Sequence, residues 1–174
     1  MSAPHIAALV ALALLAACGE EDRDAVLEQP PGCVKALESA AETPTVDDVV
    51  LGEAILLNLK KYQRVPWREL WLPRERFGMV KLPIIVPAGQ TLTLRVPPTA
   101  RGVIGLDYQG PTDPQYVSQA ATQASFTACY GRFPTVHFPG RLLLARRVCG
   151  APLDWRYGDQ RGRLRLSFGR ACRR

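Results

Sequence analysis

Apolar and polar positions alternate with a period of two through much of the C-terminal half of the chain. Leu92, Leu94 and Val96 interleave with Thr91, Thr93 and Arg95, which is the pattern of a strand with one buried face. Leu153, Trp155 and Tyr157 alternate with polar neighbours, and so do Leu164, Leu166 and Phe168. The turn-forming cluster Gly158-Asp159-Gln160-Arg161-Gly162 lies between the two runs, so they predict a β-hairpin. Residues 49–59, 80–86, 103–108, 125–130 and 142–148 are further short apolar runs separated by Gly and Pro. Pro83 inside one of them argues for an edge strand or a bulge, because proline cannot donate to the ladder. Pro87-Ala88-Gly89-Gln90 reads as a hairpin turn. Only residues 34–41 suggest a helix, and a brief one. About eight short strands with regular turn signals predict an all-β fold. The expected form is a single antiparallel β-sandwich, Ig-like or jelly-roll-like, with one short N-terminal helix.

The N-terminus follows a different pattern. Residues 6–17 are apolar without interruption and are followed at once by Cys18-Gly19-Glu20-Glu21-Asp22. A bilayer-crossing helix needs about 20 apolar residues, so this run suits the hydrophobic stretch of a signal peptide. Its last residues, Leu15-Ala16-Ala17-Cys18, have the form of a bacterial lipobox, where the signal is cut and the new N-terminal cysteine receives lipid. No Lys or Arg precedes the run, where only His5 and the amine could carry positive charge. Either the true start lies upstream or the signal is unusual. The expected organisation is a signal peptide at 1–17, an acidic, proline-containing tether at 18–32 and a β-domain at 33–174. The tether, with Glu20, Glu21, Asp22, Asp24, Glu28, Pro30 and Pro31, lacks the apolar surface needed to fold. The predicted address is the extracytoplasmic face of the cell membrane.

Four further cysteines remain, Cys33, Cys129, Cys149 and Cys172. An even number in an exported domain points to two disulfides, with three possible connectivities. A zinc site fits poorly, since no two cysteines are close in sequence and His137 is the only histidine beyond the signal. Folding the last hairpin about its turn brings Cys149 opposite residues near 170. That favours Cys149–Cys172 and leaves Cys33–Cys129 to tie the N-terminal segment to the body.

Charge is unevenly spread. Residues 18–79 carry 8 basic and 12 acidic side chains, whereas residues 80–174 carry 14 basic and 4 acidic ones. Arg161, Arg163 and Arg165 occupy the polar positions of the last strand. They either satisfy the alternation alone or form a cationic face toward anionic headgroups, an anionic envelope polymer or another envelope protein. Trp67 and Trp71, beside Lys60, Lys61, Arg64 and Arg68, form a second candidate surface; a loop packed over one end of the sandwich accounts for the same residues. Nucleic acid is not an expected partner for an exported chain. No nucleophile elbow, paired His-Glu metal motif or phosphate-cradling glycine loop occurs, so the chain reads as a non-catalytic binding module. An envelope hydrolase or small-ligand-binding protein with its site under the tryptophan loop is the alternative. Glu53 and Asp107 are then the carboxylates to watch, ahead of Asp113, Asp154 and Asp159.

A resemblance rests on several segments. They are Phe126-Thr127-Ala128-Cys129, the run from Phe138-Pro139-Gly140-Arg141 through Leu142-Leu143-Leu144, Cys149 ahead of Leu153, and Leu166-Ser167-Phe168-Gly169 ahead of Cys172. With Lys81-Leu82-Pro83-Ile84-Ile85-Val86, Gly89 and the 92–96 strand, the chain resembles small uncharacterised lipoproteins of high-GC Gram-positive bacteria over roughly residues 48–172. The 18 arginines against 4 lysines agree with a GC-rich genome. The resemblance implies the fold and the membrane address, and brings no activity with it. It also implies a diacylglyceryl thioether on Cys18, often with a third acyl chain on its amine, and no other cofactor. Each buried methylene contributes about 0.8 kcal/mol, so two or three chains would hold the protein at a bilayer stably.

Overall fold

The computed structural model describes residues 32–34, 37–108 and 114–169. The expected signal peptide, Cys18, the tether up to residue 31, Asp113 and Cys172 lie outside them. The strands are β1 (Leu37–Ser39), β2 (Val49–Leu51), β3 (Ala54–Leu56), β4 (Trp71–Leu72), β5 (Phe77–Lys81), β6 (Ile84–Pro87) and β7 (Thr91–Arg95). They continue as β8 (Ile104–Asp107), β9 (Gln123–Thr127), β10 (Thr135–Phe138), β11 (Arg141–Leu144), β12 (Val148–Tyr157) and β13 (Gln160–Phe168). Two short helices, α1 (Leu59–Gln63) and α2 (Trp67–Leu70), precede β4. No helix among the described residues is long and apolar enough to cross a membrane.

All strand pairings are antiparallel, and the fold is the expected all-β, sandwich-like one. It is built from three sheets, in the orders β1-β10-β6-β3-β2, β4-β5-β11-β8 and β13-β12-β7-β9. One buried cluster takes side chains from every sheet, among them Ile84, Phe138, Leu106, Leu142, Leu92 and Leu153.

The first two sheets share a bent ribbon. Lys81 faces Arg141 in one sheet and Ile84 faces Phe138 in the other, so the register is the same on both sides of the bend. Pro83 and Pro139 interrupt the ladder between these pairs, where neither can donate a backbone hydrogen bond. Leu82 N–H still bonds the Gly140 carbonyl at 3.0 Å. Tyr108 closes the corner by donating its buried hydroxyl to the Leu82 carbonyl at 2.7 Å. Its ring lies so close to Gly140 that a Cβ there would fall 2.1 Å from a ring carbon. Pro83 therefore marks a corner between sheets, not the edge strand or bulge its position suggested. β6 runs between β10 and β3 in the interior of its sheet.

Other sequence expectations need correction as well. Residues 37–39 form β1 against Thr135–His137 where a helix was expected; a run of eight residues is too short to hold a helix without packing, and pairing with β10 satisfies its backbone instead. The 49–59 run splits into β2 and β3 around Gly52-Glu53. Pro87-Ala88-Gly89-Gln90 does turn the chain, but it carries β6 from one sheet into β7 of another. The last hairpin forms as expected, with a tighter turn, since Tyr157 pairs with Gln160 across Gly158-Asp159. His137 lies inside its sheet, between β1 and β6. Its buried Nε2 is 3.0 Å from Glu42 Oε1, without the alignment of a hydrogen bond.

Cys33 and Cys129 are joined in a disulfide that closes 96 residues. Beside it Val34 N–H bonds the Thr127 carbonyl at 2.9 Å. Cys149 is also disulfide-bonded; Cys172, its expected partner, lies outside the described residues. Asp48 is a buried carboxylate that accepts from Thr45 N–H at 2.7 Å, the Thr45 hydroxyl at 2.7 Å and Asn58 N–H at 2.6 Å. Burial pushes its carboxyl up, yet these donors and the Lys60 charge outweigh that and hold it below its ordinary 3.8.

Tyr157, packed against Gly52, donates its hydroxyl to Glu53 at 3.2 Å. Burial, that hydrogen bond and the Glu53 charge push its phenol up to about 12 from 10.0. A phenol harder to ionise in the folded chain contributes stability below pH 10 that is lost as pH rises toward 12. Chemical denaturation across that window is expected to show stability falling with pH, with a shallower fall in Tyr157→Phe. An unchanged slope in the variant would remove this role. Tyr108, raised by burial, adds a slope of the same sign that the variant retains.

Candidate functional site

The outward side of β13, β12, β7 and β9 is assembled by simple alternation. On β13, Leu164, Leu166 and Phe168 turn toward the core, which sends Arg161, Arg163 and Arg165 to solvent. On β12 the outward positions are Pro152, Asp154 and Arg156; on β7 they are Thr91, Thr93 and Arg95; on β9 they are Gln123, Ser125 and Thr127. Register aligns them into rows. One row runs Arg161, Arg156, Thr93, Ser125, and the next runs Arg163, Asp154, Arg95, Gln123. Arg165 stands one row further on, opposite Pro152.

This face carries five guanidinium groups and one carboxylate, with no large aliphatic or aromatic side chain at an outward position. Arg163 holds Asp154 through two hydrogen bonds, of 2.6 and 3.2 Å. Those bonds outweigh burial and, with the charges of Arg163 and Arg95, lower the Asp154 carboxyl below its ordinary 3.8. Arg156, Arg161 and Arg165 have no carboxylate partner among the described residues. The Thr93 and Ser125 hydroxyls are hydrogen-bonded at 3.1 Å. A groove of about 700 Å³ lies over this part of the face, lined by Arg95, Arg156, Arg161, Arg163, Thr93 and Ser125 among others.

The tryptophan surface lies elsewhere. Trp67 and Trp71 pack against each other with ring centroids 5.5 Å apart and planes tilted by 38°, at the α2–β4 junction. Trp67 covers Gly78, where a Cβ would sit 2.7 Å from the indole, and Pro66 bridges Gly169 at the far end of β13 from the hairpin turn. Neither tryptophan lines the arginine groove. The candidate carboxylates are also apart in function: Glu53 accepts from Tyr157, and Asp107 is ion-paired with Arg141. No group of three or more His, Cys, Asp or Glu among the described residues could hold a metal ion.

Arg95 and Arg156 are the site residues that sequence reasoning passed over. Alternation within β7 and β12 marks both as outward-facing. The pairing of β7 with β12, which adds them to the same face as Arg161 and Arg163, joins segments some 60 residues apart. Compared with protein-family models, curated proteins and solved structures, the chain matches none of them.

Proposed function

We propose that the chain is a membrane-anchored extracytoplasmic lipoprotein whose β-domain is a non-catalytic binding module of the cell envelope. Lipid on Cys18 holds it at the bilayer, and its arginine face meets an anionic envelope polymer or another envelope protein. The observation that carries the binding role is the five-arginine sheet face with its open groove. Guanidinium groups suit anion recognition because their planar forks donate two hydrogen bonds to one oxyanion and stay charged at any physiological pH. The anchoring role rests on the apolar run that ends in Leu15-Ala16-Ala17-Cys18.

Intact mass and membrane partition test the anchor. Expressed in a bacterial host, the full chain is expected in the membrane fraction with its N-terminus at residue 18 and an acyl increment in mass. Cys18→Ser is expected to be released by a carbonate wash. A membrane-fraction mass equal to the unprocessed polypeptide, or a variant that resists the wash as well as the parent, would overturn the reading.

A further inference from the structure

Arg156 and Arg161 are directly opposed across the β12–β13 ladder. Side chains in such positions have Cβ atoms about 5 Å apart, and like charges there destabilise a sheet. Neither has a carboxylate partner among the described residues, whereas in the next row Arg163 and Arg95 flank Asp154. Part of the arginine content has a plain structural use. β13 is an edge strand, and charged residues on an edge discourage pairing with other chains. That use accounts for Arg161, Arg163 and Arg165, but not for Arg156 and Arg95, which stand on interior strands.

We propose that the opposed pair Arg156 and Arg161, with the Thr93 and Ser125 hydroxyls in the same row, seats the phosphodiester groups of a linear, hydroxyl-rich polymer lying in the groove. This deepens the binding role proposed above and rests on it. A phosphodiester has two free oxygens that diverge tetrahedrally, so one group can accept from two opposed guanidinium forks at once and screen their repulsion. A planar carboxylate is satisfied by a single fork. The hydroxyls continue the row across the sheet and, with the Gln123 amide of the neighbouring row, offer hydrogen bonds to the sugar or polyol between phosphates. A lipid surface suits the face less well, since interfacial binding draws on apolar side chains and the one aromatic residue lining the groove, Trp155, lays its indole over Gly162 and packs against the core.

Full-length protein purified in detergent is titrated calorimetrically with a glycerol-phosphate oligomer. Binding is expected to weaken at least about tenfold in the double variant R156Q/R161Q, as when charge pairs are truncated at an interface. The charge-matched double variant R101Q/R146Q, outside the groove, is expected to bind within about threefold of the parent, because distant exposed charges are screened by salt. The thermal midpoint of R156Q/R161Q should stay level or rise as the repulsion is removed, whereas a lower midpoint would make the pair structural and overturn the proposal. No binding, or equal losses in both variants, would overturn it too. Equal affinity for polygalacturonate through the same arginines would reject the phosphodiester while leaving the anionic-polymer role intact. Competition by phosphatidylglycerol added to the micelles at matched phosphate would transfer the site to lipid. The titration does not depend on the state of Cys18, so its failure and failure of the anchor are separate results.

Discussion

Combined replacement of Cys33 by Ser and Cys129 by Ala is expected to lower stability by about 4 kcal/mol. For a chain of this size that is a fall of roughly 8–16 °C in the thermal midpoint. The bond closes 96 residues, and in the chain-entropy account a closure of that length removes loop freedom worth about 4–5 kcal/mol from the unfolded chain. The closed segment contains the first nine strands. Among the described residues, the contacts at its N-terminal end are short: β1 contributes three register pairs with β10, the Thr135 hydroxyl bonds the Ser39 and Ala40 carbonyls, and Val34 bonds Thr127 and Cys129. The two substitutions isolate this bridge from that of Cys149, which chemical reduction would not do. A midpoint within about 3 °C of the parent would show that noncovalent contacts alone hold the segment.

Phe126→Ala is expected to cost about 4 kcal/mol, with Phe126→Leu costing much less. Phe126 belongs to β9, yet it packs edge-on against Tyr108, which follows β8, at 4.7 Å, and against Phe138 of β10 at 5.4 Å. The three rings come from, or directly follow, strands of three different sheets, so truncation opens a void where they meet. It also removes two aromatic contacts worth about 1 kcal/mol each beyond their area. Equilibrium denaturation measures the loss; a cost below about 2 kcal/mol would mean that neighbouring side chains collapse into the space.

How far the molecule could be read from its residues depended on how local each determinant is. The last hairpin was legible because a period-two pattern and a Gly-Asp turn specify it within some twenty residues. The outward placement of Arg161, Arg163 and Arg165 followed from the same alternation. The bend at Pro83 was not legible. A proline announces a missing donor, but whether it marks an edge, a bulge or a corner depends on Pro139 and Gly140 opposite it, more than fifty residues later. Residues 37–39 misled for a similar reason, since local propensity yields to the partner strand that the fold provides. The site was half visible. Single strands disclose which arginines face solvent, whereas the like-charge opposition of Arg156 and Arg161 exists only in the register.

The Cys33–Cys129 bridge also determines how the domain carries mechanical load. Tension applied through the N-terminal end enters the β-structure at Cys33 and passes covalently to Cys129. The short β1 ladder is bypassed and cannot be peeled away first. Residues 34–128 stay out of the extensible length while the bond is intact, withholding about 330 Å of chain from any pull on the two ends. A domain hung from a surface by its N-terminus would thus take the load at Cys129, beyond β9, and not at β1.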